Sequence, residues 1–184
     1  MHTIWLTGLP CSGKSTLSKW LGVVLEKLHK PYEILDGNDI REFLVPDLGF
    51  SKEDRHQHAL RVGWTCRLLN KHGVIAIAAI ISPYRESRRA VKLQYPGEPY
   101  GPTFHEVFVN CSLDVCESRD TRGLYRKARA GVIENFTGIS DPYEEPECGP
   151  DVLEVNTDRD SADTCVRAIL WDALNIRLPD RKKE

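Results

Sequence analysis

Near the start of the chain, Gly8-Leu9-Pro10-Cys11-Ser12-Gly13-Lys14-Ser15 places two glycines, a lysine and a hydroxyl at the spacing G-x-x-x-x-G-K-[ST]. That combination does one kind of chemistry well, which is gripping a polyphosphate. Glycines let successive backbone N–H groups converge as an anion nest, and a helix starting at Lys14 would aim its positive end at the same anion. Lys14 adds a point charge for the β- and γ-phosphates, and the Ser15 hydroxyl is the expected Mg²⁺ ligand. Gly8, Leu9, Pro10, Cys11, Ser12, Gly13, Lys14, Ser15 and Thr16 are therefore read as a nucleoside triphosphate site.

A second reactive group is Asp36, which ends the apolar run Tyr32-Glu33-Ile34-Leu35 and precedes Gly37. A carboxylate at the C-terminal end of a strand sits where open α/β sheets bind ligands, and it can orient a hydroxyl or hold a metal-bound water. The plain alternative is an ordinary Asp-Gly turn. A third group is cationic: Arg119, Arg122, Arg126, Lys127 and Arg129 fall within the long polar stretch 119–150, with Gly123 and Gly131 as candidate hinges. Such a cluster is either a solvated helix face or a lid that brings cations over a transferring phosphate and excludes water. The loop context favours the lid.

These groups need a scaffold, and the apolar pattern supplies one. Strands are expected at 3–7, 32–36, 74–81, 104–110 and 152–155, with the continuous run Val74 to Ile81 placed at the centre of the sheet. Between them, Leu17, Trp20, Leu21, Val24, Leu25 and Leu28 recur at helical spacing, and Ser51 opens a long helix reaching about His72. A short helix over 38–44, a basic helix from Arg85, a helix over 114–120 and a final helix capped by Ser161 complete the series. Strands alternating with helices predict an α/β fold of the P-loop NTPase type: a five-stranded parallel sheet, helices on both faces and a mobile basic lid. One domain over 1–178 is expected, followed by a frayed tail over 179–184.

Whole-chain properties exclude several classes. With 184 residues, a formal charge of −2 and a pI near 6.3, the chain has no global positive field for nucleic acid or an anionic membrane. Nothing approaches eighteen consecutive apolar residues and no secretory leader opens the sequence, so a cytoplasmic protein is expected. Six cysteines without a C-x-x-C pair are read as free thiols. Cys11, close to a helix N-terminus, is either an acidified, oxidation-sensitive thiol or a small residue that fits. A guanine-reading Asn-Lys-x-Asp is missing, because Asn70-Lys71-His72-Gly73 lacks the aspartate.

Taken together, several motifs resemble the adenylyl-sulfate kinase (APS kinase) family. They are Leu35-Asp36-Gly37 with Ile40-Arg41, Gly49-Phe50-Ser51 through Arg55, Ile81-Ser82-Pro83-Tyr84, Arg119-Asp120, Gly123-Leu124-Tyr125-Arg126-Lys127, Phe136-Thr137-Gly138-Ile139 and Asp141-Pro142-Tyr143-Glu144. The resemblance runs nearly end to end. It implies transfer of the ATP γ-phosphate to the 3′-hydroxyl of adenosine 5′-phosphosulfate, with Mg²⁺, in a homodimer. It also implies roles: Asp36 and Lys14 catalytic, Arg119 over the ATP base, Phe50 and Phe136 stacking the acceptor adenine. Arg41, Arg55 and Lys127 would hold its phosphosulfate, with Ile81 and Ser82 offering backbone contacts. Two positions depart from the pattern. Asn38 stands where the family has a second aspartate, and His58 stands where it has asparagine, leaving His58 either a substrate contact or a helix-surface histidine. Two rival readings stay open at this level: a kinase acting on another nucleotide-like acceptor, and an inactive nucleotide-binding module.

Overall fold

The computed structural model describes residues 1–96, 101–147, 149 and 151–179, apart from the side chain of Asn38. Cys148, most of the expected tail and the middle of the proline-rich loop after Tyr95 lie outside the described residues. Strand β1 (His2–Thr7) runs into the glycine loop, and helix α1 (Lys14–Lys27) follows it. Next come β2 (Tyr32–Asp36), α2 (Gly37–Phe43), the long α3 (Lys52–Lys71), β3 (Ile75–Ala79) and α4 (Arg85–Lys92). The second half holds β4 (Thr103–Asn110), α5 (Leu113–Ser118), α6 (Leu124–Arg129), β5 (Val152–Asn156) and α7 (Ala162–Leu174).

Two helix starts follow directly from their caps. Ser51 Oγ accepts the Asp54 N–H at 3.1 Å, and Ser161 Oγ accepts the Thr164 N–H at 3.2 Å, each satisfying a first-turn donor. All strand pairs are parallel, in the order β2-β3-β1-β4-β5. The centre is therefore β1, and the expectation that β3 lies there is corrected. A continuous apolar run reports burial on both faces, and β1, with Ile4, Trp5 and Leu6 fully buried, shares that property with β3.

Period-two alternation assigns each strand residue to one of two cores. Ile4, Leu6, Ile75, Ile77, Ala79, Val107 and Val109 pack with α1 and α7 through Leu17, Leu21, Leu25, Val166, Ile169 and Leu170. On the other face Trp5, Ala76, Ala78 and Ile80 meet Ile40 of α2, Ala59, Val62 and Cys66 of α3, and Val91 of α4. The small Ala78 lies opposite Trp5 in the ladder, which leaves space for the indole. A third, smaller core lies under the expected lid: Cys111, Cys116, Tyr125, Ala128 and Phe136 are buried together. The stretch 119–150 is thus not patternless, since it contains α6 and carries its own apolar anchor.

Candidate active site

The glycine loop is shaped by close approach. A Cβ on Gly8 would lie 2.6 Å from the Val109 carbonyl oxygen, so only glycine fits there. Gly13 caps α1 with φ at 101°, and Cys11 takes φ 62° between them. Lys14, 8% exposed, donates to the Gly8 and Leu9 carbonyls at 2.9 and 2.6 Å. Burial draws its ammonium down to a pKa of about 8, while Asp36 is among the groups that favour the charged form. The structure thus brings both expected catalytic residues within electrostatic reach at the C-terminal edge of β1 and β2. Ser15 is half-buried in the first turn of α1 and Thr16 beside it is exposed. A hydroxyl and a nearby carboxylate are the hard oxygen donors that Mg²⁺ takes alongside substrate phosphates, so the residues present fit that ion.

Two further ties to the loop have no local sequence signal. Thr157, just after β5, donates its hydroxyl to the Ser12 carbonyl at 2.8 Å. Arg119 in turn donates to Thr157 Oγ1 at 3.2 Å and to the Thr157 carbonyl at 2.8 Å, which holds its guanidinium at the rim of the loop. The buried Tyr125 of α6 donates its hydroxyl to the Pro10 carbonyl at 2.9 Å. Cys11 does not have an acidified thiol: burial, aided by the charge of Asp120, pushes its pKa up. The five described cysteines are all free.

A second cluster forms where α2 and α3 meet. The Arg41 guanidinium lies 4.1 Å from the Phe50 ring centroid and donates to the Gly49 carbonyl at 3.0 Å. Arg55 lies 5.5 Å from the same ring and donates to the carbonyls of Phe50 and Asn135 at 3.1 and 2.5 Å. Phe50 remains 51% exposed between these cations, an open aromatic face. His58 is 7% exposed, which overturns its reading as a helix-surface histidine. Burial first, then the charges of Arg41 and Arg55, lower its pKa to about 4, so the imidazole is neutral at pH 7. Its buried Nε2 has no hydrogen-bond partner among the described residues.

The remaining expected contacts are placed less uniformly. Phe136 is 9% exposed and meets Tyr125 edge-on with centroids 4.9 Å apart, so most of its ring belongs to the third core. Lys127 and Arg126 are exposed on α6, and Arg122 is exposed in the turn before it. The Ile81 carbonyl accepts the Thr7 hydroxyl at 2.7 Å. Ser82 adopts φ 43°, and its carbonyl accepts from Arg88 at 2.8 Å, so the backbone acceptors of this turn already have partners.

An all-parallel sheet with a lysine-bearing glycine loop after its central strand, and a carboxylate ending the edge strand two places away, defines a P-loop phosphotransferase. Comparison narrows the class. The sequence profile of the Adenylylsulphate kinase family matches residues 1–154. The adenylyl-sulfate kinase of Gloeothece citriformis is 49% identical over 168 residues, covering 91% of each chain. Among solved structures, the Mycobacterium tuberculosis APS kinase CysC in complex with AMPPNP and APS superposes with a TM-score of 0.83 at 37% identity. That match covers 93% of this chain and 96% of the other. The hexameric APS kinase from Thiobacillus denitrificans superposes with a TM-score of 0.66 at 30% identity, covering 93% of this chain and 28% of that one. The chain belongs to the adenylylsulphate kinase family.

Proposed function

We propose that this protein transfers the γ-phosphate of ATP to the 3′-hydroxyl of adenosine 5′-phosphosulfate, giving 3′-phosphoadenosine 5′-phosphosulfate and ADP. The observation that carries the reading is the second cluster: an open Phe50 face flanked by Arg41 and Arg55, with neutral His58 buried beside them. An aromatic face suits an adenine, and the arginines suit an anion that never loses its charge. The phosphate loop and Lys14 hold the donor. Asp36 orients the acceptor hydroxyl, and His58 offers a neutral N–H toward the anion. Mg²⁺ on Ser15, when bound, neutralises charge on the donor phosphates. The exposed cations of α6, Lys127 among them, close over the transfer as a mobile lid, and Phe136 presents its remaining edge to the acceptor base. The reading places a homodimer in the cytoplasm; light scattering across a concentration series tests the assembly, with a lone monomer as the contrary result.

ADP release with Mg-ATP and a panel of nucleotide acceptors tests the activity. Turnover with adenosine 5′-phosphosulfate far above the other acceptors is expected, and robust turnover only on a different nucleotide overturns it. In the same assay Asp36→Ala is expected to lower kcat by roughly 10²–10⁴-fold while ATP affinity changes little. ATP binding without turnover in the wild type would identify an inactive binding module.

A further inference from the structure

Arg88 of α4 is the most committed polar side chain outside the site just described. It is 2% exposed, and each nitrogen of its guanidinium is occupied by a different part of the chain. Nε donates to Glu106 Oε1 of β4 at 2.6 Å, a buried ion pair. One terminal nitrogen donates to the Ser82 carbonyl at 2.8 Å, and the other donates to the Glu144 carbonyl at 2.7 Å. A planar fork of fixed N–H directions can serve three acceptors at once, whereas an ammonium on a flexible stem cannot hold them in the same geometry.

Two of these acceptors, the Ser82 and Glu144 carbonyls, border the transfer site. Ser82 follows β3 in the left-handed region, a strained conformation for a residue with a side chain, so its carbonyl needs an external hold. The hydroxyl of Thr7, the residue before Gly8, donates to the adjoining Ile81 carbonyl and lies 2.9 Å from the Tyr143 hydroxyl. Glu144 donates its own N–H to the Pro83 carbonyl at 2.8 Å, so the 141–144 stretch is bracketed against the turn after β3. At the near end of that bracket, Asp141 accepts the Tyr84 hydroxyl at 2.7 Å. Its other oxygen lies 3.4 Å from Arg55 Nε. Arg55 is the cation that flanks Phe50.

We propose that Arg88 is a positioning residue: by binding the Ser82 and Glu144 carbonyls together, it sets the 141–144 bracket that orients Arg55, and with it the acceptor cluster, against the phosphate loop. Its action on turnover rests on the kinase reading above; its action on the bracket does not. Loss of the fork leaves the Lys14 contacts to the Gly8 and Leu9 carbonyls and the Thr7 hydroxyl on the Ile81 carbonyl in place, so the acceptor side loosens more than the donor loop.

The test uses Arg88→Lys, which keeps a charge beside Glu106, and the double variant Arg88→Met/Glu106→Leu, which leaves no buried charge unpaired if the first folds poorly. In both, binding of a non-hydrolysable ATP analogue is expected to stay within about twofold of wild type. The KM for the acceptor is expected to rise at least tenfold, and amide exchange over 141–145 to accelerate. An unchanged acceptor KM, or an equal loss of ATP-analogue affinity, overturns the proposal. If the wild type does not use adenosine 5′-phosphosulfate, the kinase reading fails separately. Amide exchange then decides: faster exchange in the variants supports the positioning role, and unchanged exchange overturns it.

Discussion

Lys14 and His58 are both buried cationic side-chain types, yet the site uses them in opposite ways. Lys14 faces loop carbonyls and keeps its proton at pH 7, because its pKa of about 8 lies above that pH. Phosphates placed on the loop favour the charged form, so nucleotide binding at pH 8.5 is expected to take up roughly half a proton or more. Calorimetry in two buffers of different ionisation heat measures that uptake, and Lys14→Met is expected to abolish it. His58 stays neutral, with its pKa of about 4 below the ordinary 6.5. The unfolded chain therefore binds the extra proton between those values. Stability from this residue is full above pH 6.5 and declines as pH falls toward 4. Between pH 7 and pH 5 the loss is about 2 kcal/mol, and in urea titrations His58→Asn is expected to remove that part of the acid sensitivity.

The elements that carry these residues are held by close backbone approaches that outweigh local propensity. Gly63 lies within α3, where alanine would ordinarily stabilise the helix by about 1 kcal/mol. Here an added Cβ would stand 2.6 Å from Val91 Cγ1 of α4. Gly63→Ala is therefore expected to destabilise the protein by about 1–2 kcal/mol in urea unfolding, because α4 must retreat from its packed position. The same retreat displaces Arg88, so a raised acceptor KM should accompany the lost stability. Elements of this kind were largely legible in the chain itself. The stripe from Leu17 to Leu28, the cap at Ser51 and the run at Val74 carry their periods locally, and the glycine loop and Asp36 carry their spacing. The ties that complete the site carry neither. Thr157 reaches Ser12 across 145 residues and Tyr125 reaches Pro10 across 115, so each is an ordinary polar residue until topology supplies its partner. His58 was marked by its motif position, but its burial was not visible, because α3 is polar along most of its length.

At the scale of the whole molecule, the two faces of the sheet hold separate cores, and every path between β2-β3 and β4-β5 within the sheet passes through β1. An apolar run could not reveal this, since three interior strands share the same two-sided burial. Trp5→Ala should therefore be among the costliest core truncations, about 3–5 kcal/mol by chemical denaturation, because a fully buried indole on the central strand leaves a cavity in the core it shares with Ala76 and Ala78. The same strand order also governs how the chain comes to be folded at all. His2 pairs in register with Thr103, about a hundred residues away, so one edge of the first strand stays unpaired until the fourth is available. Refolding should then be slower than that of a helical bundle, because the sheet waits on a pairing this distant in sequence. A fragment ending at residue 96 should aggregate through the open edge of β1 instead of forming a smaller stable sheet. β1 gains its second neighbour only when β4 has formed, and the six residues that lead into the phosphate loop are the seam on which the two halves of the sheet close.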